Sequence, residues 1–302
     1  MIGGAEAVDP AGRTARTERR DELEHGSARR RTVGRRREPV LLAGGAFGAL
    51  LILFLALPVV ALVVRAFLGE SFLEVVRERV LLDALVLSLT TTLASLALAV
   101  IFGTPLAFLL ARRRFRGAGL VETLVDLPIV LPPSVAGLAL LLLLGRRGVV
   151  GGPLDAFGIN IPFTTFAVVL AQAFVATPFY VRSARSGFLA IDRDLEDAAR
   201  MDGAGEWAVV RWISMPLAAP AIAAGLVMAW ARALGEFGAT IMFAGNVEGR
   251  TQTLPLLVYS EFQSSLDASV AAAAILVLAA GGVLLGVRVL HWRSIFDLRS
   301  VT

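Results

Sequence analysis

Cysteine is missing from the 302-residue chain, which excludes disulfide frameworks, iron–sulfur clusters, thiolate zinc sites and cysteine nucleophiles. Lysine is missing as well, so all 29 basic residues are arginine. Histidine occurs only as His25 and His291, each in an arginine-rich flank with no companion ligand at metal-binding spacing. No metal site is therefore expected, and no Ser–His or Cys–His pair is available for nucleophilic catalysis. The chain also has no G-x-x-x-x-G-K-[ST] sequence, hence no P-loop to cradle nucleotide phosphates. If ATP powers this protein, another subunit binds it.

What remains is apolar. Hydrophobic residues make up 56% of the chain and the mean hydropathy is +0.73, so a bilayer is the natural solvent. Residues 1–38 differ, with ten arginines, seven acids and almost no apolar periodicity. They read as a disordered, solvated tail weakly attracted to anionic lipid, with no role in nucleic-acid binding. This tail is too long and polar for a signal-peptide n-region, so the first span is expected to stay attached. Residues 39–302 form the membrane domain. Six stretches there, 40–67, 84–110, 124–144, 164–181, 217–243 and 268–290, match the length of about 20 residues that a helix needs to cross a hydrocarbon core. The expected fold class is an all-α membrane protein with six transmembrane helices.

Arginine sets the orientation. With the N-terminus inside, 22 arginines fall on the cytoplasmic side, among them Arg112, Arg113, Arg182, Arg185, Arg193, Arg200 and Arg211. Six fall outside, at Arg65, Arg77, Arg79, Arg146, Arg147 and Arg250, and Arg232 lies within a span. Both termini of this multi-pass cell-membrane protein are then cytoplasmic. Several acids stand near one another, but all are flanked by arginine in polar loops and read as solvated faces.

The longest polar interruption after the tail is the loop 191–216. Ile191, Leu195, Ala198 and Ala199 recur at helical spacing, with Asp192, Asp194, Glu196, Asp197 and Arg200 on the remaining surface. An amphipathic helix with a narrow apolar face is predicted. Gly203 and Gly205 permit a reversal. A second helix over 206–213 carries Trp207, Val210 and Trp212, and Pro216 fits the first turn of the fifth span. Read from these residues alone, an interfacial helix pair joining two spans explains the loop equally well.

Asp197, Ala198 and Ala199, then Gly203, then Ile213, Met215 and Pro216 resemble the EAA loop of ABC-importer permeases. That pattern is Glu-Ala-Ala, a glycine, and Ile-x-Leu-Pro. Aspartate replaces the leading glutamate here and methionine the leucine, both preserving character. The resemblance implies a type I importer permease that is itself no enzyme. It implies a homodimer, two ATP-binding-cassette ATPase subunits that hold ATP and Mg, and an extracytoplasmic binding protein. The helix-turn-helix would then sit in a groove of the ATPase as a cytoplasmic coupling helix.

Cargo is carried by a second likeness. Gly235, Glu236, Phe237, Gly238, Ala239 and Thr240, then Gly245, Asn246 and residues 249–255, together with Leu131, Pro132, Pro133 and residues 145–148, are similar to the molybdate permease family. With the loop, the likeness covers most of 82–290. Sulfate and thiosulfate permeases, the alternative, usually carry tyrosine and serine where this chain has Phe237 and Ala239. The resemblance implies molybdate or tungstate, tetrahedral dianions of almost equal size, chosen mainly by the oxyanion-binding protein. An ion-coupled secondary transporter is the rival of another class; it predicts interrupted helices in both halves, and only one proline-broken span stands out. An intramembrane enzyme would need paired catalytic groups within the spans.

Arg232 and Glu236 stand four residues apart on one helical face, where a charged pair requires mutual neutralisation or a watery cavity. A structural ion pair fits. So does a gate, with Phe237 plugging the path while Gly235 and Gly238 let the helix bend. Pro132, Pro133 and Ser134 interrupt the third span and are expected to face the bundle interior, either as a packing kink or where Ser134 and Thr240 hydrogen-bond a passing oxyanion. Outside, Arg146, Arg147 and Arg250 can meet acids of the binding protein or steer the anion.

Overall fold

The computed structural model describes residues 38–69, 72–113 and 115–299, the side chains of 38–42, 74 and 287–299 excepted. The tail expected over 1–38 lies outside the described residues except for its last position. So do His25 and the side chains of Arg288, His291, Arg293 and Arg299. The described residues are helices and turns, with no strand among them. Contacts divide the chain into two units, Met1–Ala61 and Leu62–Thr302. The first holds most of α1 (Glu38–Leu68), which is apolar on every side, with Phe47, Leu50, Ile52 and Phe54 exposed. A helix that is hydrophobic all round requires an apolar surrounding.

In the second unit α2 (Phe72–Arg77) leads into α3 (Arg79–Arg112), α4 (Ala118–Val130), α5 (Pro133–Leu144), α6 (Gly151–Ala156) and α7 (Thr165–Leu189). Beyond these come α8 (Arg193–Met201), α9 (Glu206–Val209), α10 (Met215–Leu234), α11 (Gly238–Phe243), α12 (Leu254–Ser264) and α13 (Leu266–Arg299). The central helix is α7, with α3 on one side and α10 on the other. In α3 the buried positions Ala84, Ser88, Thr92, Ser95, Ala99, Gly103 and Ala107 form a stripe of small residues. Lipid supplies no hydrophobic drive between helices, so this stripe acts by letting backbones approach. Gly103 shows the fit, because a Cβ there would meet the Tyr180 ring and Val181 at 3.0 Å. Thr104 and the Tyr180 hydroxyl share a hydrogen bond across the same seam. On the other side of α7, Ser183 Oγ donates to the Ala221 carbonyl of α10 at 2.7 Å.

Among the described residues five helices are long and apolar enough to cross a membrane, and a sixth span exists only if α4 and α5 count as one. The expected span 124–144 is broken where Pro132 and Pro133 are expected to interrupt it: the helix stops after Val130 and bends by 119°. Leu131 (φ −68°, ψ 133°) and Pro132 (φ −54°, ψ 136°) are both extended, because each precedes a proline whose ring disfavours the helical region. The expected span 217–243 is corrected. Its helix starts earlier, running from Glu206 to Leu234, and it breaks at Gly235–Phe237 before α11. A second interrupted helix thus exists, made by glycine and invisible to a search for proline. The fourth span extends to Leu189, which puts Arg182 and Arg185 on the helix. They face Asp126 at 3.5 Å and Glu122 at 2.7 Å on α4.

Candidate functional site

The loop 191–216 is built as a helix-turn-helix of α8 and α9. Asp192 caps α8, its carboxylate accepting from the Asp194 amide at 3.1 Å. The helix ends in a paired closure: the Gly203 amide donates to the Arg200 carbonyl at 3.0 Å and the Ala204 amide to the Ala199 carbonyl at 2.9 Å. This is the Schellman arrangement. It needs a left-handed residue, and Gly203 has φ +90°. Of the predicted apolar face, Ile191 is buried while Leu195 and Ala198 are exposed, and the buried residue of α8 is Glu196. Asp197 is exposed too and pairs with Arg200 at 2.7 Å. Hydrogen bonding to Glu206, joined by that to Asp197, holds the Arg200 guanidinium still more firmly protonated than usual. Met201, Trp207 and Trp212 project outward, with the Arg211 guanidinium over the Trp212 ring.

The second helix does not stop before the span, as the sequence had suggested. α9 runs through a π-helical turn, Val210–Ser214, directly into α10. Pro216 has no amide to continue the ordinary ladder, and just before it the Met215 amide reaches back to the Val210 carbonyl. A π turn absorbs such a register change. Ile213, Met215 and Pro216 therefore form a continuous shaft from the turn to α10.

Glu196 contradicts the expectation that the acids are solvated. Its Oε1 accepts from Arg112 Nη2 and from Ser214 Oγ, both at 2.7 Å. The two charged side chains are 8% and 3% exposed. Nothing local marks this pair, whose members lie 84 positions apart.

At the two helix breaks, α5 and α11 meet. A Cβ on Gly238 would lie 2.6 Å from Pro133 Cβ, and one on Gly137 would lie 2.6 Å from the Ala239 carbonyl oxygen. Only glycine allows either approach. Glu236 is buried; its Oε1 accepts from the Ala239 amide at 2.8 Å and its Oε2 lies 3.1 Å from Arg232 Nη1. The pairing of Arg232 with Glu236 stands as read from their spacing, and the amide contact adds a cap on α11. Phe237 packs its ring against Tyr259, centroids 5.1 Å apart. Pro132, Pro133 and Ser134, expected inside, are exposed on this chain, whereas Thr240 is fully buried. Ser134 and Thr240 do not share one surface. Thr240 Oγ1 and both amide atoms of Gln172 are buried without a partner among the described residues. Gln172 was missed, for a lone glutamine in an apolar run carries no spacing signal.

Arg146 donates to Asn160 Oδ1 at 2.8 Å, while the Arg250 carbonyl accepts from Thr165 Oγ1 at 2.9 Å. The conspicuous run after Gly245 closes on itself, the Val247 carbonyl accepting from the amides of Arg250, Thr251 and Gln252. Among the described residues no group of three or more His, Asp or Glu is placed to hold a metal ion.

The described residues thus form a helical bundle with helices long and apolar enough to cross a membrane, and a helix-turn-helix with exposed apolar side chains. Residues 103–291 match the family described as binding-protein-dependent transport system inner membrane component, and the chain belongs to that family. It is similar to the molybdenum transport system permease protein ModB of Mycobacterium tuberculosis, 43% identical over 236 residues that cover 78% of this chain and 89% of that one. It is also similar to the probable transport system permease protein NifC of Clostridium pasteurianum, 37% identical over 244 residues, 80% of this chain and 85% of that one. In fold it resembles a chain of a bacterial ABC transporter involved in the import of the acidic polysaccharide alginate, with a TM-score of 0.66, 20% identity, and 85% and 96% of the two chains covered.

Proposed function

We propose that this chain is the permease subunit of an ATP-driven importer of molybdate or tungstate. It works as a homodimer with two ATP-binding-cassette subunits, which hold ATP and Mg, and with an extracytoplasmic oxyanion-binding protein. The observation that carries this reading is the way α8 is turned: the Glu196 carboxylate faces the protein and Leu195 and Ala198 face out. An apolar helix face turned away from its own chain suits the groove of a partner. Asp197, Ala198, Ala199 and Gly203 form the docking turn, and Ile213, Met215 and Pro216 join it rigidly to α10. The arginine distribution supports cytoplasmic termini and a cytoplasmic loop.

The exposed Pro132–Ser134 break supports a passage between two protomers, lined where α5 and α11 meet. Glu236 holds the break in shape, Phe237 closes it, and the glycine contacts allow it to shift. The binding protein delivers the dianion from outside. ATP binding then closes the ATPase pair, the loops pass that motion to the spans, and hydrolysis resets them. This chain moves cargo and makes no bond. Relatives named for molybdenum transport support the cargo, as do Phe237 and Ala239. Radiolabelled molybdate uptake by the assembled transporter is the test: tungstate is expected to compete fully and excess sulfate weakly. Strong competition by sulfate would sink the molybdate reading.

A further inference from the structure

Glu196 lies one residue before the docking motif and points the opposite way from Asp197. One carboxylate oxygen, Oε1, receives hydrogen bonds from Arg112 at the end of α3 and from Ser214 in the π turn leading to α10. The other, Oε2, lies 3.9 Å from Arg200, whose guanidinium also binds Asp197 and Glu206. A continuous line of charge therefore runs from exposed Asp197 through Arg200 and Glu196 to Arg112 on a transmembrane helix. Beside it the loop is not packed flush against α3. A crevice of about 330 Å³, with Phe108, Arg113, Arg193 and Glu206 in its wall, separates them.

A buried ion pair is a poor device for stability alone, because desolvation offsets much of its attraction. Here the Arg112 Nε is also buried without a partner among the described residues. What such a pair supplies is direction, holding two elements at one distance and one angle. The need is plain from connectivity. The loop continues covalently into α7 and α10, but it has no covalent link to the end of α3.

We propose that Glu196 is a positioning residue for coupling: its carboxylate pins the loop to α3 as well as to α10, so that a push on the exposed face of α8 reaches both helices together. This rests on the coupling role proposed above. The inference concerns how the force is divided.

The test uses the complete transporter in proteoliposomes, with oxyanion uptake and ATP hydrolysis measured together. Glu196→Gln is expected to assemble and to hydrolyse ATP within about twofold of the parent, while moving about tenfold less oxyanion per ATP. The chain has no cysteine of its own, so in R112C/E196C, assembled with partner subunits made free of cysteine, a short bifunctional thiol reagent can bridge only introduced cysteines. Bridging, followed by mass, is expected to restore at least half of the lost uptake per ATP. A wild-type ratio in Glu196→Gln overturns the pin, as does a complete bridge that restores nothing. A role in stability alone would lower the yield of assembled complex and leave the ratio of that which assembles unchanged. If neither variant assembles, R112M/E196L keeps the contact without charge; assembly with a lowered ratio supports the pin and full coupling overturns it. Gly203→Val, at the exposed turn and away from the pin, separates the two ideas. Wild-type uptake per ATP in that variant would remove the coupling role itself, whatever Glu196→Gln does.

Discussion

Two carboxylates are buried among the described residues, and they are used in opposite ways. Glu196 reaches across 84 positions to Arg112 and joins elements that the backbone leaves apart. Glu236, in the break, turns back to Arg232 in the last turn of α10, four residues away, and forward to the Ala239 amide three residues on. The first fixes where a loop sits; the second fixes the shape of a break. A buried charge tied to a distant partner resists relative motion of two elements, whereas one tied to neighbours keeps a local distortion intact while elements move around it. That contrast matches a lever at one end of the bundle and a hinge at the other.

The largest expected effect comes from removing the hinge's seat. Gly137→Val places a Cβ within 2.8 Å of the Ala239 Cα as well as 2.6 Å from its carbonyl oxygen, and backbone cannot swing aside as a side chain does. Overpacking of this kind costs about 3 kcal/mol. Uptake should be lost, with a reduced yield of monodisperse protein in detergent. Parent-like yield and uptake would mean that α5 and α11 are not held in this contact, and the contrast between the two ends would weaken with it.

A smaller and sharper effect divides Glu236 itself. Glu236→Ala removes both the α11 cap and the partner of Arg232, and breaking a buried pair costs about 3 kcal/mol. Arg232 is 32% exposed, so it retains some access to water and the loss should fall at the low end. Glu236→Gln keeps an acceptor for the Ala239 amide, so more than half of the uptake should survive. Uptake and thermal unfolding of the two variants together decide the matter. If glutamine proves as damaging as alanine, charge rather than backbone shape is what this carboxylate supplies.

The same division explains what could be read in advance. Arg232 and Glu236 announced themselves because four residues is one helical turn. The turn after α8 was legible for a similar reason: Gly203 sits where a helix capped by Asp202 needs a left-handed residue. Four spans were located by apolar length alone. The interruption of the third span was legible from Pro132 and Pro133, though hydropathy does not register how far the helix bends there, and the bend at Gly235 was legible only as an option, because glycine permits a break without demanding one. What the spacing left open in α8 was the direction of its apolar side. Amphipathic patterning does not tell whether that side meets the chain's own core or turns away from it, as Leu195 and Ala198 do. Glu196 then looked like any solvated acid, since its pairing depends on a bundle that folds α3 against the loop.

The smallest effect tests whether the two ends lean on a common frame. Both are attached to the α3–α7–α10 layer, and its one polar tie between α3 and Tyr180 is the hydrogen bond with Thr104. If small-residue packing holds the seam, that bond is an accessory. Interhelical hydrogen bonds in membranes average under about 1 kcal/mol, and in Tyr180→Phe the freed Thr104 hydroxyl can turn to a carbonyl one turn back on its own helix. Tyr180→Phe should therefore lower stability by about 1 kcal/mol in thermal or denaturant unfolding and leave uptake per ATP unchanged. A loss several times larger would place the frame's strength in the polar tie. Unchanged stability with reduced uptake per ATP would be more consequential, because it would make Tyr180 part of the path between lever and hinge.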